Sequence, residues 1–268
     1  WAAVCQDNLR RENSNTKRTR GIERKMSETW ILGPCGIDNV EMYIETCRFL
    51  HPLMNGKDWY YKASFDKANR TSVNGERCVG LETGIKAFEQ VKAMFPEVRL
   101  VTDVHECYQV ERLAHVIDVI QIPAFLCRQT DLIVECARHF NTVNIKKGQW
   151  IGPNNLVASV DKIRHTNDEC KAWITDRGSN FGYDKLIVDF GIVDELKQSY
   201  DKVILDCTHS TQRSRTVYGQ QGDVELAKRY FLAAPIFEYD GVFAETHPNP
   251  PESCSDKECQ IPLDEMID

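Results

Sequence analysis

At 268 residues the chain is long for one ordinary domain but matches the usual size of a single α/β barrel, so two independent domains are not required. A formal net charge of −7 and a pI near 5.6 exclude a general attraction to nucleic acid, so any phosphate binding must come from local Lys and Arg clusters. Eleven scattered cysteines, with no secretory-type apolar core ahead of them, point to free thiols in a reducing cytoplasm rather than a disulfide framework, and no run of about 18 apolar residues offers a membrane span.

Residues 1–28 carry Arg10, Arg11, Lys17, Arg18, Arg20, Arg24 and Lys25 among Asn, Ser and Thr, without apolar periodicity, and read as a disordered polar and basic lead. Met26 stands just before the first strand, where a functional start would fall. From Thr29 onward, short apolar runs alternate with longer stretches of helical period, the pattern of repeated β-α units. The expected strands are Trp30 to Cys35, Trp59 to Ala63, Arg99 to Val104, Val119 to Ile122, Thr142 to Lys146, Ala172 to Thr175, Lys202 to Asp206 and Gly241 to Ala244. Several are rich in Val and Ile on both faces, as buried parallel strands should be. Amphipathic helices are expected over Val79 to Phe95, Cys107 to Ile117, Thr130 to Phe140, Asn154 to His165, Tyr183 to Tyr200 and Val224 to Phe237, with Leu263 to Asp268 a stub of a truncated last helix. The fold class is therefore a single-domain TIM (β/α)8 barrel over residues 29–268.

Polar residues gather at the carboxyl ends of these strands, where barrel enzymes assemble their sites. In strand order they are Cys35; Lys62 with Lys67-Ala68-Asn69-Arg70; Asp103 and His105; Gln121; Lys146 and Lys147; Asp176 and Arg177; Asp206 and His209; Glu245 and His247. Any one of these is readily a solvated loop charge, but that reading would have to be repeated at all eight strand ends. Lys62, Lys67, Arg70, Lys146 and Arg177 converge from different strand ends, and a mixed Lys and Arg set suits phosphate plus carboxylate; without anions such a cluster would repel itself. Cys35, His209, Glu245 and Asp256 meet if the first, seventh and eighth strands are neighbours around a closed barrel, and their donors suit a borderline divalent ion such as Zn2+, Fe2+ or Mn2+. Taken alone, Cys35 is more often a buried small hydrophobe and His209 a hydrogen-bonded core histidine.

The stretches Gly33-Pro34-Cys35 and Lys62-Ala63-Ser64-Phe65-Asp66-Lys67-Ala68-Asn69-Arg70-Thr71-Ser72 resemble the 3-deoxy-D-manno-octulosonate 8-phosphate synthase family. So do, in order, Thr102 to Glu106, Gln121 to Leu132, Asn144 to Gln149 and Asp176 to Tyr183, a likeness spanning roughly residues 30 to 263. The resemblance implies a transferase that condenses phosphoenolpyruvate with D-arabinose 5-phosphate and water, releasing phosphate and giving the eight-carbon sugar acid phosphate used in lipopolysaccharide. It also implies site residues. Lys62, Lys146 and Arg177 would hold phosphoenolpyruvate, with the backbone at Ala124 and Phe125 helping its phosphate, and Gln121 would be a further substrate-binding residue. Asn69, Arg70 and Ser72 would take the sugar phosphate, with Lys67 and Asp103 near the reacting centre.

The family has branches with and without metal, distinguished by Cys or Asn at the position of Cys35. Cys here, with His209, Glu245 and Asp256 at the other matching positions, implies one divalent metal ion; Cys35 and His209 would then also serve catalysis. Relatives usually form tetramers, so the resemblance implies a homo-oligomer as well. The related 3-deoxy-arabino-heptulosonate 7-phosphate synthases, which use erythrose 4-phosphate, have Lys-Pro-Arg-Thr where this chain reads Lys67-Ala68-Asn69-Arg70-Thr71. Between His209 and Val224 the family's Gly-rich loop is replaced by a stretch beginning Gln212-Arg213-Ser214-Arg215, a change that a non-catalytic barrel kept as a binding module would tolerate.

Overall fold

The computed structural model describes residues 29–70 and 72–266; the basic lead lies outside them. Eight parallel strands follow one another around a closed barrel: β1 (Thr29–Gly33), β2 (Asp58–Lys62), β3 (Arg99–Asp103), β4 (Val119–Ile122), β5 (Thr142–Lys146), β6 (Lys171–Asp176), β7 (Lys202–Asp206) and β8 (Gly241–His247). Closure comes from β8 pairing with β1, from Thr29 opposite Gly241 to Gly33 opposite Glu245. A short β9 (Ile261–Pro262) adds to the end of β8, pairing Thr246 with Ile261. The expected TIM barrel is thus the observed one.

Around it lie α1 (Val40–Leu53), α2 (Leu81–Met94), α3 (Cys107–Leu113), α4 (Thr130–His139), α5 (Pro153–Thr166), α6 (Val193–Lys197), α7 (Arg215–Tyr218) and α8 (Val224–Ala233). Helix α1 was not among the expected elements. Asn39 starts it by accepting a hydrogen bond from the Met42 N–H at 2.8 Å, and Tyr43, Thr46, Cys47 and Leu50 form its buried face. Pro52, in the last turn, weakens the helical signature at the other end.

The helix expected over Tyr183 to Tyr200 is reduced to a 3-10 turn at Phe190–Ile192 and the five residues of α6. Gly182 sits at φ 77°, Ile187 bridges back to Ser179, and the Asp189 side chain accepts from the Gly191 N–H, so local bonds compete with the helix. Leu263–Met266 is likewise a 3-10 turn following β9 rather than the start of an α-helix.

Strand periodicity divides the barrel interior into layers. Ile31, Tyr60, Val101, Val119, Trp173, Ile204 and Phe243 point inward and form a small apolar plug, separate from the larger core between strands and helices. Beneath the plug, Asp58 binds Arg99 at 2.7 Å and Lys202 at 3.0 Å. Two residues further along the strands the inward positions become Lys62, Asp103, Gln121, Asp206 and Glu245, with Lys146 two beyond the inward Asn144. One alternation therefore sets an apolar floor directly below a charged layer.

Candidate active site

That charged layer opens into a cavity of about 780 Å3 lined by Lys62, Lys67, Asn69, Arg70, Asp103, Gln121, Ala124, Phe125, Lys146, Arg177, His209, Glu245 and Asp256, among others. Residues from all eight strand ends but the first line it directly; Cys35, at the end of the first, is fully buried and not among the lining residues. Gly33 permits this approach of the first strand, since a Cβ there would overlap the Lys62 carbonyl oxygen.

The expected repulsion among the cations is relieved by interior acids. Lys62 Nζ donates to Glu245 Oε1, Ser64 Oγ and the Cys35 carbonyl, each at 3.2 Å. Lys146 donates to Asp206 and lies over the Phe243 ring, 3.2 Å from its centroid. Burial pushes its ammonium down to about 8, against the pull of Asp206. Lys67 donates to Ser64 Oγ at 3.0 Å, and Ser64 donates to Asp103. Burial works to discharge Lys67, yet Cys35, Glu245 and Asp103 together hold its pKa well above the usual lysine value. For Asp103, burial is likewise outweighed, here by the His105 hydrogen bond and Lys62, and its carboxyl stays far below the ordinary range. Arg177 donates to Gln212 Oε1, while its Nε, buried, has no hydrogen-bond partner among the described residues.

Three of the four expected metal donors come together beside Lys62, and the fourth, His209, faces two of them but is not within 4.8 Å of all three. Ligand atoms of Cys35, Glu245 and Asp256 all lie within 4.8 Å of one another. His209 Nε2 faces the same group, 3.6 Å from Glu245 Oε2 and 3.8 Å from Asp256 Oδ2. Asp206 fixes that orientation by binding His209 Nδ1 at 2.8 Å, so Nε2 is the nitrogen left for the cavity. Cys35 Sγ donates to Asp256 Oδ2 at 3.2 Å, and burial, then Glu245, push its thiol well above the ordinary value. Glu245 Oε2, also buried, has no hydrogen-bond partner among the described residues.

Not every expected residue reaches the mouth. Ser72 is exposed in a turn, accepting from the Asn74 N–H at 3.2 Å, because the chain turns outward after Arg70. Arg70 itself is tied to Ser255 Oγ at 2.9 Å and the Cys254 carbonyl at 3.0 Å. Lys147 and Asp176 face a smaller hollow outside the barrel, paired at 3.3 Å, since Lys147 succeeds the inward Lys146. His247 turns away to Asp38 at 3.1 Å.

Three residues that sequence reasoning passed over knit the site together. Ser64 links Lys62, Lys67 and Asp103, and Gln260 Oε1 accepts from the Cys35 N–H at 3.0 Å. Gln212, in the stretch that departs from the resembled family, accepts from Arg177 and donates to Asp256 Oδ1 at 3.0 Å. The altered loop therefore places a side chain in the site rather than removing one.

Comparison with known proteins agrees with this geometry. The family model described as the DAHP synthetase I family matches residues 14–268. A 2-dehydro-3-deoxyphosphooctonate aldolase of Helicobacter hepaticus is 42% identical over 248 residues, covering 88% of this chain and 91% of the relative. One from Wolinella succinogenes is 43% identical over 239 residues, 84% of this chain and 90% of the relative, and one from Francisella tularensis 39% over 238 residues, 86% and 84%. With a closed barrel, one charged mouth and likeness running almost end to end, the chain belongs to the DAHP synthetase I family and, within it, to the 2-dehydro-3-deoxyphosphooctonate aldolases.

Proposed function

We propose that the barrel mouth condenses phosphoenolpyruvate with D-arabinose 5-phosphate and water, giving 3-deoxy-D-manno-octulosonate 8-phosphate and inorganic phosphate. The chain is accordingly an enzyme of the transferase class, and the octulosonate reading is favoured over the heptulosonate one by the names of its relatives. The observation that carries the reading is a pair of buried atoms left without partners on the cavity wall: the donor Arg177 Nε and the acceptor Glu245 Oε2. A buried donor without a partner calls for an anion, and a buried carboxylate oxygen beside a thiol, an imidazole and a second carboxylate calls for a cation.

Lys62, Lys146 and Arg177, with Gln121, hold phosphoenolpyruvate in this reading, its phosphate turned toward the backbone at Ala124 and Phe125. Asn69 and Arg70, on the opposite rim, take the sugar phosphate; Ser72 has no place in that set. Lys67 and Asp103, joined through Ser64, stand between the two groups. Lys67 screens the two anions from each other, and the fixed strand ends hold C3 of phosphoenolpyruvate against the aldehyde carbon. A bond forms between those carbons, the oxygen of water adds at C2, and phosphate leaves by cleavage of its carbon-oxygen bond.

Cys35, His209, Glu245 and Asp256 would hold one divalent ion, and the donor set of one sulfur, one nitrogen and two carboxylates fits Zn2+, Fe2+ or Mn2+. Such an ion supplies Lewis acidity toward a substrate or water oxygen. Asp206 serves it indirectly by keeping His209 Nε2 turned inward. Assembly as a tetramer and placement in the cytoplasm complete the reading; no helix among the described residues is long and apolar enough to cross a membrane.

Purified protein mixed with phosphoenolpyruvate and each aldose phosphate, with Mn2+ or Zn2+ and then a chelator, tests this. Phosphate release with arabinose 5-phosphate, abolished by the chelator, is the expected result. Release only with erythrose 4-phosphate, or none with either sugar, overturns it.

A further inference from the structure

Beside the mouth, but outside the cavity lining, lies a second group of reactive side chains that the condensation does not use. Cys78 Sγ and Cys254 Sγ are 2.9 Å apart, both free thiols and both partly accessible. The carboxylate of Asp38 has an oxygen within 4.8 Å of both sulfurs and accepts from the Cys254 N–H at 3.2 Å. The two cysteines are 176 residues apart in the chain. Cys78 ends the loop after β2 that carries Lys67, Asn69 and Arg70; Cys254 sits in the loop after β8 that carries Asp256. Room for the two sulfurs comes from Gly36, where a Cβ would overlap Cys78 Sγ and approach Cys254 Sγ to 3.3 Å. Cys78 is also held at φ 65°, a left-handed conformation unusual for a residue other than Gly or Asn.

A structural metal would need the sulfurs further apart. Two thiolates on one tetrahedral zinc, each about 2.3 Å from it, stand roughly 3.8 Å from each other. At 2.9 Å the pair stands about as far from that spacing as from the bonded distance of about 2.05 Å, but a tetrahedral ion needs four donors, and Asp38, the third of this group, is already engaged by His247 and the Cys254 N–H. We infer that Cys78 and Cys254 form a reversible disulfide modification site, closed by thiol–disulfide exchange with a small-molecule disulfide of the glutathione type.

In the first step the Cys78 thiolate attacks one sulfur of the small disulfide, and the departing thiolate takes up a proton. The hydrogen bond from Cys254, then Lys67 and Arg70, favours the Cys78 thiolate despite its partial burial. In the second, the Cys254 sulfur attacks Cys78 Sγ as its proton passes to the departing sulfur, which leaves as the second small thiol. Two protein thiols are oxidised to one disulfide and one small disulfide is reduced to two thiols. The bond ties together two loops already joined by Arg70, which reaches Ser255 and the Cys254 carbonyl.

The test uses the full chain loaded with Mn2+ and incubated with excess glutathione disulfide, then acid-quenched, alkylated and digested without reductant. Mass spectrometry is expected to find a peptide pair joined through Cys78 and Cys254, two hydrogens lighter than the sum of its parts and separated by dithiothreitol. Cys78→Ser removes that pair, whereas Cys107→Ser, at an exposed thiol outside the cluster, leaves it unchanged. Alkylated Cys78 and Cys254 under oxidant that has modified Cys107 would overturn the inference. So would a second tightly held metal ion per chain that disappears in Cys78→Ser. Because the readout is a mass, it stands or falls separately from the condensation assay.

Discussion

Lys146 is the cation whose charge state is most open to adjustment. Burial brings its pKa to about 8, so the ammonium, proposed above to attract phosphoenolpyruvate, is present below that pH and is lost above it. The kcat/KM for phosphoenolpyruvate, which reports the free enzyme, is expected to fall as pH rises through about 8, approaching tenfold per pH unit. Lys146→Arg keeps its charge and flattens that limb, at the expense of a lower plateau from altered geometry. A pH series of initial rates from 6 to 10 checks both. Gln212 offers a second residue-scale test. It joins a guanidinium to a carboxylate, and bonds to charged groups contribute about 1.5–3 kcal/mol each. Gln212→Ala is therefore expected to lower kcat/KM by between about tenfold and a hundredfold with little change in Tm; steady-state kinetics beside a melting curve would expose a merely structural role.

At the scale of elements, Asn39→Ala removes the side-chain cap of α1 and should cost about 1 kcal/mol, seen as a Tm lower by roughly 2–4 °C with kcat unchanged. Differential scanning calorimetry decides it. The strands were the legible part of this architecture: Val119–Ile122, Thr142–Lys146 and Lys202–Asp206 fall where the apolar runs place them, because a parallel strand buried on both faces is written as a short continuous run. Helices were less so. Residues 183–192 carry an apolar stripe, yet a glycine turn, a strand bridge and an Asp side chain outcompete it. In the site, Lys62, Asp103, Asp206 and Glu245 could be anticipated because each follows an inward apolar residue by two positions on its own strand. The place of Gln212 could not, since its loop is shaped by tertiary contacts to Arg177 and Asp256 that no local pattern encodes.

Across the whole molecule, the clustered donors Cys35, Glu245 and Asp256 join the two ends of the described barrel, Cys35 after the first strand and Asp256 beyond the eighth. An ion bound there stabilises the folded state alone, by about 4 kcal/mol at a thousandfold excess over Kd, or roughly 8 °C in Tm for a chain of this size. Added Mn2+ or Zn2+ is expected to give that shift and Cys35→Ala to abolish it, read by thermal melting without any turnover. The stacked interior has one more consequence. Phe243 never needs to meet a substrate, yet two ammonium groups rest on its ring, Lys146 at 3.2 Å and Lys62 at 5.5 Å. Phe243→Leu withdraws that electron-rich bed and should weaken phosphoenolpyruvate affinity about three- to tenfold, from roughly 0.5–1 kcal/mol or somewhat more per contact, measurable by isothermal titration. Anion selectivity in such an enzyme can thus drift by repacking an oily side chain, out of reach of anything the ligand touches.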